Sequence, residues 1–505
     1  MTMMRATMTS ETLTIFDEPV MEFEGKHYSS DPHDGLALFG AMGSASGTTP
    51  PPYAVIGTRQ GIDLWGEWCR AFNRSAAVDD PSRHVLWRPF PTYEVAFGSR
   101  WSEQPLRTYE LAAVKLLGDA DNSDQHARCY AVVNHYLDQF ETIKKHDELP
   151  RVVMCIVPDK IWKNCRPLSR VSGGPSISHQ EKRLRQAGQT DFFDSFEPEQ
   201  YSMSPDFRRQ IKARSMRADI PVQIVRESTL RLSDTRKAGE RQLTPLSDRL
   251  WNLSTALYFK TGKKPWCIRD VRPGVCYVGI AFRRDFEAST SACCAAQMFV
   301  DSGDGLVFLG DFGPWYSPEK NQFHLSTEAA QKLLSDVLRT YEAVRTPTDP
   351  KISEVFLHSR SSISRAEFQG YQAACDAAVK LVGIRVRSDF HGLRLFRPGN
   401  MPVLRGTFLQ RGDRSAHLFA SGFKPRLGTY DGGDVPAPLR IDVQHGDADV
   451  GQVGRDILAL TKLNYNACRY GSAQPVTVKF SDAVGEILIS NKAVEDRRNS
   501  FKYYI

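Results

Sequence analysis

The stretch Pro205-Asp-Phe-Arg-Arg-Gln-Ile-Lys-Ala-Arg-Ser-Met-Arg-Ala-Asp-Ile-Pro-Val-Gln-Ile-Val225 reads as one helix running into one buried strand. Pro205 to Arg217 has helical spacing, and Ile220 to Val225 is apolar enough for a sheet interior. Upstream, Arg151-Val-Val-Met-Cys-Ile-Val157 before Pro158 is another continuous apolar strand. Farther out, Ala54-Val-Ile-Gly57 gives a third, followed by a helix over Gly61 to Ala71 with Ile62, Leu64, Trp65, Trp68 and Ala71 as its apolar positions. Buried strands alternating with helices define an α/β layer around a mainly parallel sheet.

Downstream the order changes. After a helix over Leu250 to Lys260 come the strands Val275 to Phe282, Ala295 to Val300 and Gly305 to Leu309, with Asp301-Ser-Gly-Asp-Gly305 as the hairpin turn between the last two. Helix Thr327 to Val344, strand Glu354 to His358 and helix Arg365 to Val379 follow. Three strands and then alternating helix and strand is the order of an RNase H-like domain. The polar residues 1–20 read as a tail, and Gly40 to Pro52 as a surface connection. The expected division is therefore a tail over 1–20, a first domain over 21–262 and a second over 263–505.

Composition sets the outer limits. The 505 residues carry 65 Lys plus Arg against 59 Asp plus Glu, a net charge of +6, with 41% hydrophobic residues, which suits several folded domains. So small an excess does not by itself indicate a nucleic-acid binder; local charge has to carry that argument. No apolar run approaches the roughly 20 residues of a bilayer span. Met1 to Glu11 lacks the features of a signal or transit peptide, so the expected compartment is the cytoplasm. Ten scattered cysteines without C-x-x-C signal neither zinc nor a disulfide framework, and Cys293-Cys294 is expected to pack as small apolar residues. Thr261-Gly-Lys-Lys264 ends like a phosphate loop, but Leu257 stands where its first glycine belongs. Neither H-E-x-x-H nor G-x-S-x-G occurs.

The densest basic element is Asp206 to Arg217. Arg208 and Lys212 are four residues apart and share one helical face, which suits a phosphate. Gln223 interrupts an apolar strand, where an amide needs a partner. Lys260 ends the next helix and can reach the same anion. On charge alone, an ordinary solvated face carrying Arg208, Arg209, Lys212, Arg214 and Arg217 is the better explanation of the helix.

The spacing of Lys212, Gln223, Asn252-Leu-Ser-Thr-Ala-Leu-Tyr-Phe-Lys260, Gly262-Lys-Lys-Pro-Trp266 and Tyr277-Val-Gly-Ile280 resembles the MID to PIWI passage of Argonaute proteins. Glu354-Val-Phe-Leu-His358, Leu460-Thr-Lys-Leu-Asn-Tyr-Asn466, Pro475-Val-Thr-Val-Lys-Phe480 and Phe501-Lys-Tyr-Tyr-Ile505 extend the likeness. It covers most of residues 150–505 and is similar to the short prokaryotic members, which hold MID and PIWI alone. The resemblance implies an α/β fold: a MID domain with a Rossmann-like parallel sheet and an RNase H-like PIWI domain. It also implies a guide 5′-phosphate pocket at Arg208, Lys212, Gln223 and Lys260. In that pocket the carboxylate of Ile505 and Gln223 meet the phosphate through Mg2+. Arg208 departs from the aromatic residue or His common at its position.

Slicing members hold two metal ions on carboxylates. At the matching positions this chain has Ala281, Ser359 and Asn466, so the resemblance implies a PIWI domain that does not cut. Asp285, Asp301, Asp304 and Asp311 read as ordinary turn residues. The implied role is a sensor: guide RNA bound, complementary single-stranded DNA of invading plasmids or phage recognised, and a partner activated. That partner would carry an APAZ region and an NAD-consuming TIR domain, with higher oligomers forming on activation. A sirtuin-APAZ or nuclease-APAZ partner is the alternative, and an active guide-dependent nuclease is a further one.

Overall fold

A computed structural model describes residues 11–44, 49–171, 184–185, 198–233, 243–269, 272–284, 292–299, 305–317, 319, 321–345, 347, 350–430, 432, 434–489 and 497–505. The chain forms two compact units: one of Leu36–Pro265, Tyr465–Cys468 and Glu486–Ile505, the other of Met1–Gly35, Trp266–Asn464 and Arg469–Gly485. In chain order, the strands used below are β1 (Thr12–Ile15), β2 (Tyr53–Gly57), β3 (Arg107–Glu110), β4 (Val152–Val157), β5 (Val222–Arg226), β6 (Val275–Arg284), β7 (Ala292–Phe299), β8 (Gly305–Gly313), β9 (Glu354–Ser359), β10 (Lys380–Ser388), β11 (Thr407–Gln410), β12 (Ser415–Leu418) and β13 (Leu439–His445). The helices are α1 (Arg59–Phe72), α2 (Gln125–Ile143), α3 (Phe207–Ser215), α4 (Leu246–Lys260), α5 (Thr327–Val344), α6 (Arg365–Ala373), α7 (Val450–Leu460) and α8 (Val476–Ile489).

The unit containing Leu36–Pro265 is built on a parallel sheet of order β3-β2-β4-β5. All six residues of β4 are buried, as a continuous apolar run requires when both faces are covered. Each fully buried Val, Met or Ile there contributes about 1.5–3 kcal/mol. Val132, Val133, Tyr136 and Phe140 of α2 share a core with Val153, Cys155 and Val157. Thr58 caps α1 by accepting from Gly61 N at 3.2 Å. Gly61 lets that helix lie close, since a Cβ there would stand 2.8 Å from Ile156 Cγ2.

The other unit holds a nine-stranded sheet of order β1-β11-β12-β13-β10-β9-β6-β7-β8. Strands β6, β7 and β8 are antiparallel neighbours, while β9 runs parallel to both β6 and β10, which is the RNase H-like order. One face carries α5 and α6 over Val278, Ile280, Val355 and Leu357. On the other, a Cβ at Gly279 would stand 2.0 Å from Thr477 O, so only glycine admits that chain so close.

Several elements differ from the sequence reading. Residues 12–15, read as tail, form β1 on β11, a pairing across nearly 400 residues that local pattern cannot signal. The helix read over Arg365 to Val379 ends at Ala373, and Lys380–Ser388 is a strand. The cut at 262/263 lies close to the change of unit at Pro265, but residues 21–35 join the nine-stranded unit, whereas 465–468 and 486–505 join the other. Glu18 anchors the leading segment, receiving Arg405 Nε at 2.9 and 3.0 Å and Lys462 Nζ at 2.5 Å. The turn at 301–304 and Asp285 lie outside the described residues, as do the side chains of Cys293, Cys294 and Asp311. No described helix is long and apolar enough to cross a membrane.

Candidate functional site

Helix α3 begins at a firm cap: the Asp206 carboxylate accepts from Arg209 N at 2.9 Å. Phe207 and Ile211 fix the helix by entering the core with Val153 and Val222. That rotation puts Lys212 inward, 3% exposed, with half-buried Arg208 one turn before it. Lys260, the last residue of α4, is 1% exposed and donates to Val222 O at 2.8 Å, where β5 starts.

Both lysine ammonium groups donate to the main-chain oxygen of Ile505. The segment that brings it there is held by its aromatics. Tyr503 Oη donates to Asp219 Oδ1 at 2.7 Å, Tyr504 Oη donates to Arg498 O at 2.7 Å, and Phe501 packs near Phe259. Arg208 makes no hydrogen bond or ion pair with the described residues, yet its charge acts on both lysines. Gln223 sends Nε2 to Ile224 O at 3.1 Å and leaves Oε1 buried without a partner.

Three cations thus share few acceptors away from bulk water. Burial, reinforced by Lys260 and Arg208, pushes Lys212 well below the usual lysine range. Burial and then Arg208 bring Lys260 down to about 7. Cys155 works in the opposite direction on both. Burial also lowers Arg208, against the pull of Asp206. An anion entering here would favour the charged forms of Lys212 and Lys260 that burial disfavours.

Beside Arg208 lies a cleft of about 100 Å³, lined by Trp162, Arg166, Asp206, Arg209 and Glu486 among others. Arg166 lies over the Trp162 ring at 4.6 Å and Arg226 at 5.4 Å, and Arg209 pairs with Glu486 at 2.9 Å. Sequence reasoning passed over Trp162; its place four residues before Arg166 was the available signal.

The sequence-predicted phosphate residues Arg208, Lys212, Gln223, Lys260 and Ile505 all belong to the parallel-sheet unit. The three positions read as lost carboxylates are more scattered. Ala281 lies in β6 and Ser359 ends β9, but the parallel register pairs Ser359 with Ile280. Ala281 therefore projects from the opposite face. Ser359 Oγ accepts from Ser361 N at 3.1 Å. Asn466 is exposed and belongs to the other unit. His358, next to Ser359, has Nδ1 3.0 Å from Thr477 Oγ1, and burial lowers its pKa to about 3, so it is neutral.

No family model and no curated protein matches the sequence. Solved structures do match. Clostridium butyricum Argonaute, bound to a guide DNA and a 19-mer target DNA, superposes with a TM-score of 0.62 at 14% identity, covering 99% of this chain and 55% of that one. The chain has an Argonaute fold. Drosophila Piwi gives a TM-score of 0.59 at 13% identity over 98% of this chain and 56% of its own. A. aeolicus Argonaute gives 0.54 at 14% over 96% and 55%. The chain thus spans a little over half the length of these Argonautes, and its mixed α/β units match their MID and PIWI domains.

Proposed function

We propose that the chain is a guide-binding Argonaute that senses a target without cutting it. It would hold the 5′-phosphate of a small guide RNA at Arg208, Lys212, Gln223 and Lys260, and use that guide to recognise complementary single-stranded DNA. The observation that carries the reading is the convergence of two buried ammonium groups on one oxygen, beside an arginine with no partner among the described residues. A terminal phosphate dianion offers several acceptor oxygens at once, whereas a phosphodiester within a strand offers fewer and less charge.

Mg2+ fits the donors available. Gln223 Oε1 is a hard oxygen, buried and unpartnered, and the Ile505 oxygen, which accepts from Lys212 and Lys260, is a second hard oxygen. Gln223 Oε1 and the Ile505 oxygen would hold the ion, which when bound would supply positive charge against the guide phosphate. The chain's own part is to keep Lys212 and Lys260 protonated against the phosphate and to exclude water.

The reading that slicing is lost rests on Ser359, which offers no carboxylate to a metal; Ala281 lies on the opposite face and does not add to it. The effector belongs to the resemblance: a TIR-APAZ partner that depletes NAD+ once guide and target are paired, with a sirtuin-APAZ or nuclease-APAZ partner as the alternative. Reconstituting the chain with its partner and measuring NAD+ tests this. Loss only with guide plus complementary single-stranded DNA supports the sensor; loss without guide, or multiple-turnover cutting by this chain alone, refutes it.

A further inference from the structure

The nine-stranded sheet begins at β1, and among the described residues nothing pairs with that strand's outer edge. Its four residues, Thr12-Leu-Thr-Ile15, are all exposed and include neither a charge nor a proline, the residues that commonly keep an open edge from pairing. The ladder determines which main-chain groups are open. Phe16 N donates inward to Gly406 O at 2.9 Å. Alternate residues of a strand turn N–H and C=O to the same side, so Thr12 and Thr14 bond inward to Gln410 and Phe408, while Leu13 and Ile15 turn theirs outward. On the other side of β11, Arg411 N donates to Ser415 O at 2.8 Å, which fits the same alternation.

Side chains alternate as well. Phe16 is buried and stacks on Phe408 at 4.6 Å, and Thr12 and Thr14 share its face. Leu13 and Ile15 project from the other face, 61% and 55% exposed, with Leu13 beside the buried Leu409. A strand that fits this edge therefore offers open main-chain groups and apolar side chains at two positions two residues apart. A second β1 does so. Run antiparallel about a twofold axis at Thr14, it sets Leu13 against the partner's Ile15 and Ile15 against the partner's Leu13, each meeting exchanging a pair of main-chain hydrogen bonds. An axis at Leu13 would instead set Ile15 against the partner's Glu11, and an axis at Ile15 would set Leu13 against the partner's Asp17. Only the axis at Thr14 meets apolar with apolar at both positions.

We propose that β1 is a homodimer edge, at which two copies of the chain join their sheets antiparallel about Thr14. The same patch serves both copies, so the contact closes on itself and leaves no further edge at β1 to extend. Asp17 then stands opposite the partner's Glu11, a like-charge meeting softened because Arg411 Nε holds Glu11 at 3.0 Å within its own copy. A contact of one short strand lies below the roughly 1,200 Å² of a stable interface, so the dimer is weak and depends on concentration. Neither guide nor target takes part in it, which separates it from the oligomers expected on activation.

Analytical ultracentrifugation of the guide-free full chain tests it, over a range of about 1 to 300 µM that brackets a weak dimer. The weight-average mass should rise reversibly from 56.8 kDa toward twice that value. L13K/I15K should raise the dissociation constant about tenfold or more, because like charges would then meet across the axis. Its Tm should stay within about 2 °C, since both side chains are exposed in the single copy. T14C reads the axis itself. Residues facing each other in a non-hydrogen-bonded antiparallel pair have Cα atoms about 4.5 Å apart, within reach of a disulfide. T14C should therefore give a cross-linked dimer on a non-reducing gel after treatment with oxidised glutathione. T12C should not, its two copies lying about 13 Å apart, and the unmodified protein gives the background from the native cysteines. A chain that stays monomeric at about 300 µM, a dimer unaffected by L13K/I15K, or T12C cross-linking as readily as T14C would overturn the proposal.

Discussion

Replacing Lys260 with Met keeps most of the side-chain volume and removes the ammonium that meets Val222 O and Ile505 O. A hydrogen bond to a charged partner contributes about 1.5–3 kcal/mol, so K260M should weaken a 5′-phosphorylated guide by about 10- to 150-fold. A 5′-hydroxyl guide should lose little. Protonation adds a second signature. Burial and Arg208 hold Lys260 near 7 in the guide-free protein, so above that pH the phosphate must draw a proton onto it. The share of proton uptake that belongs to Lys260 should make affinity fall by up to about tenfold per pH unit, and K260M should lose that share and leave what Lys212 contributes. Below about pH 6 the phosphate gives up its second charge, so discrimination should peak between roughly 6 and 7. The sign for stability is the reverse. Because the folded pKa is depressed, the unfolded chain binds more protons between about 7 and 10.5, and guide-free stability should rise with pH across that window. Anisotropy with the two labelled guides from pH 5.5 to 9, alongside thermal melts, reads all three effects. Equal losses for both guides, or an unchanged pH slope in K260M, would refute the pocket.

Q223L should leave guide binding in EDTA nearly unchanged, because Oε1 has no protein partner to lose, while abolishing the gain that Mg2+ gives the unmodified protein. Polar residues appended after Ile505 should weaken phosphorylated guides selectively in the same titration; unaltered binding would mean that the segment merely packs. E18Q should cost about 3 kcal/mol by leaving Arg405 and Lys462 buried without their carboxylate, seen as a Tm lower by several degrees. Burial raises the Glu18 carboxyl, but Arg405 and Lys462 outweigh it and hold it below its ordinary value. Its contribution should therefore fade as pH falls through that lowered range.

Much of the fold is legible where burial is local. The run Val152–Val157 reads as a doubly covered strand because every residue in it is apolar, and Thr327–Val344 reads at its observed bounds because its amphipathic spacing starts from a Ser326 cap. What escapes depends on distant partners. Thr12–Ile15 is exposed along its length and is a strand only because Thr407–Gln410 lies beside it. Ser415–Leu418 is too short for periodicity to register. In the site, residue types and spacing point to Lys212 and Lys260, but their meeting at Ile505 depends on folding across 245 residues or more. The one-residue offset that pairs Ser359 with Ile280 is likewise a matter of strand register.

The central claim is that a guide, read by base pairing, selects a strand that this chain does not cut. The most direct measurement incubates the guide-loaded protein with end-labelled DNA, complementary or scrambled, in Mg2+ or Mn2+, and follows retention and strand length together. The account predicts that complementary DNA is retained at full length, scrambled DNA is not, and retention weakens with salt as phosphate contacts are screened. Retention without regard to complementarity, or shortened product accumulating over several turnovers, would contradict it.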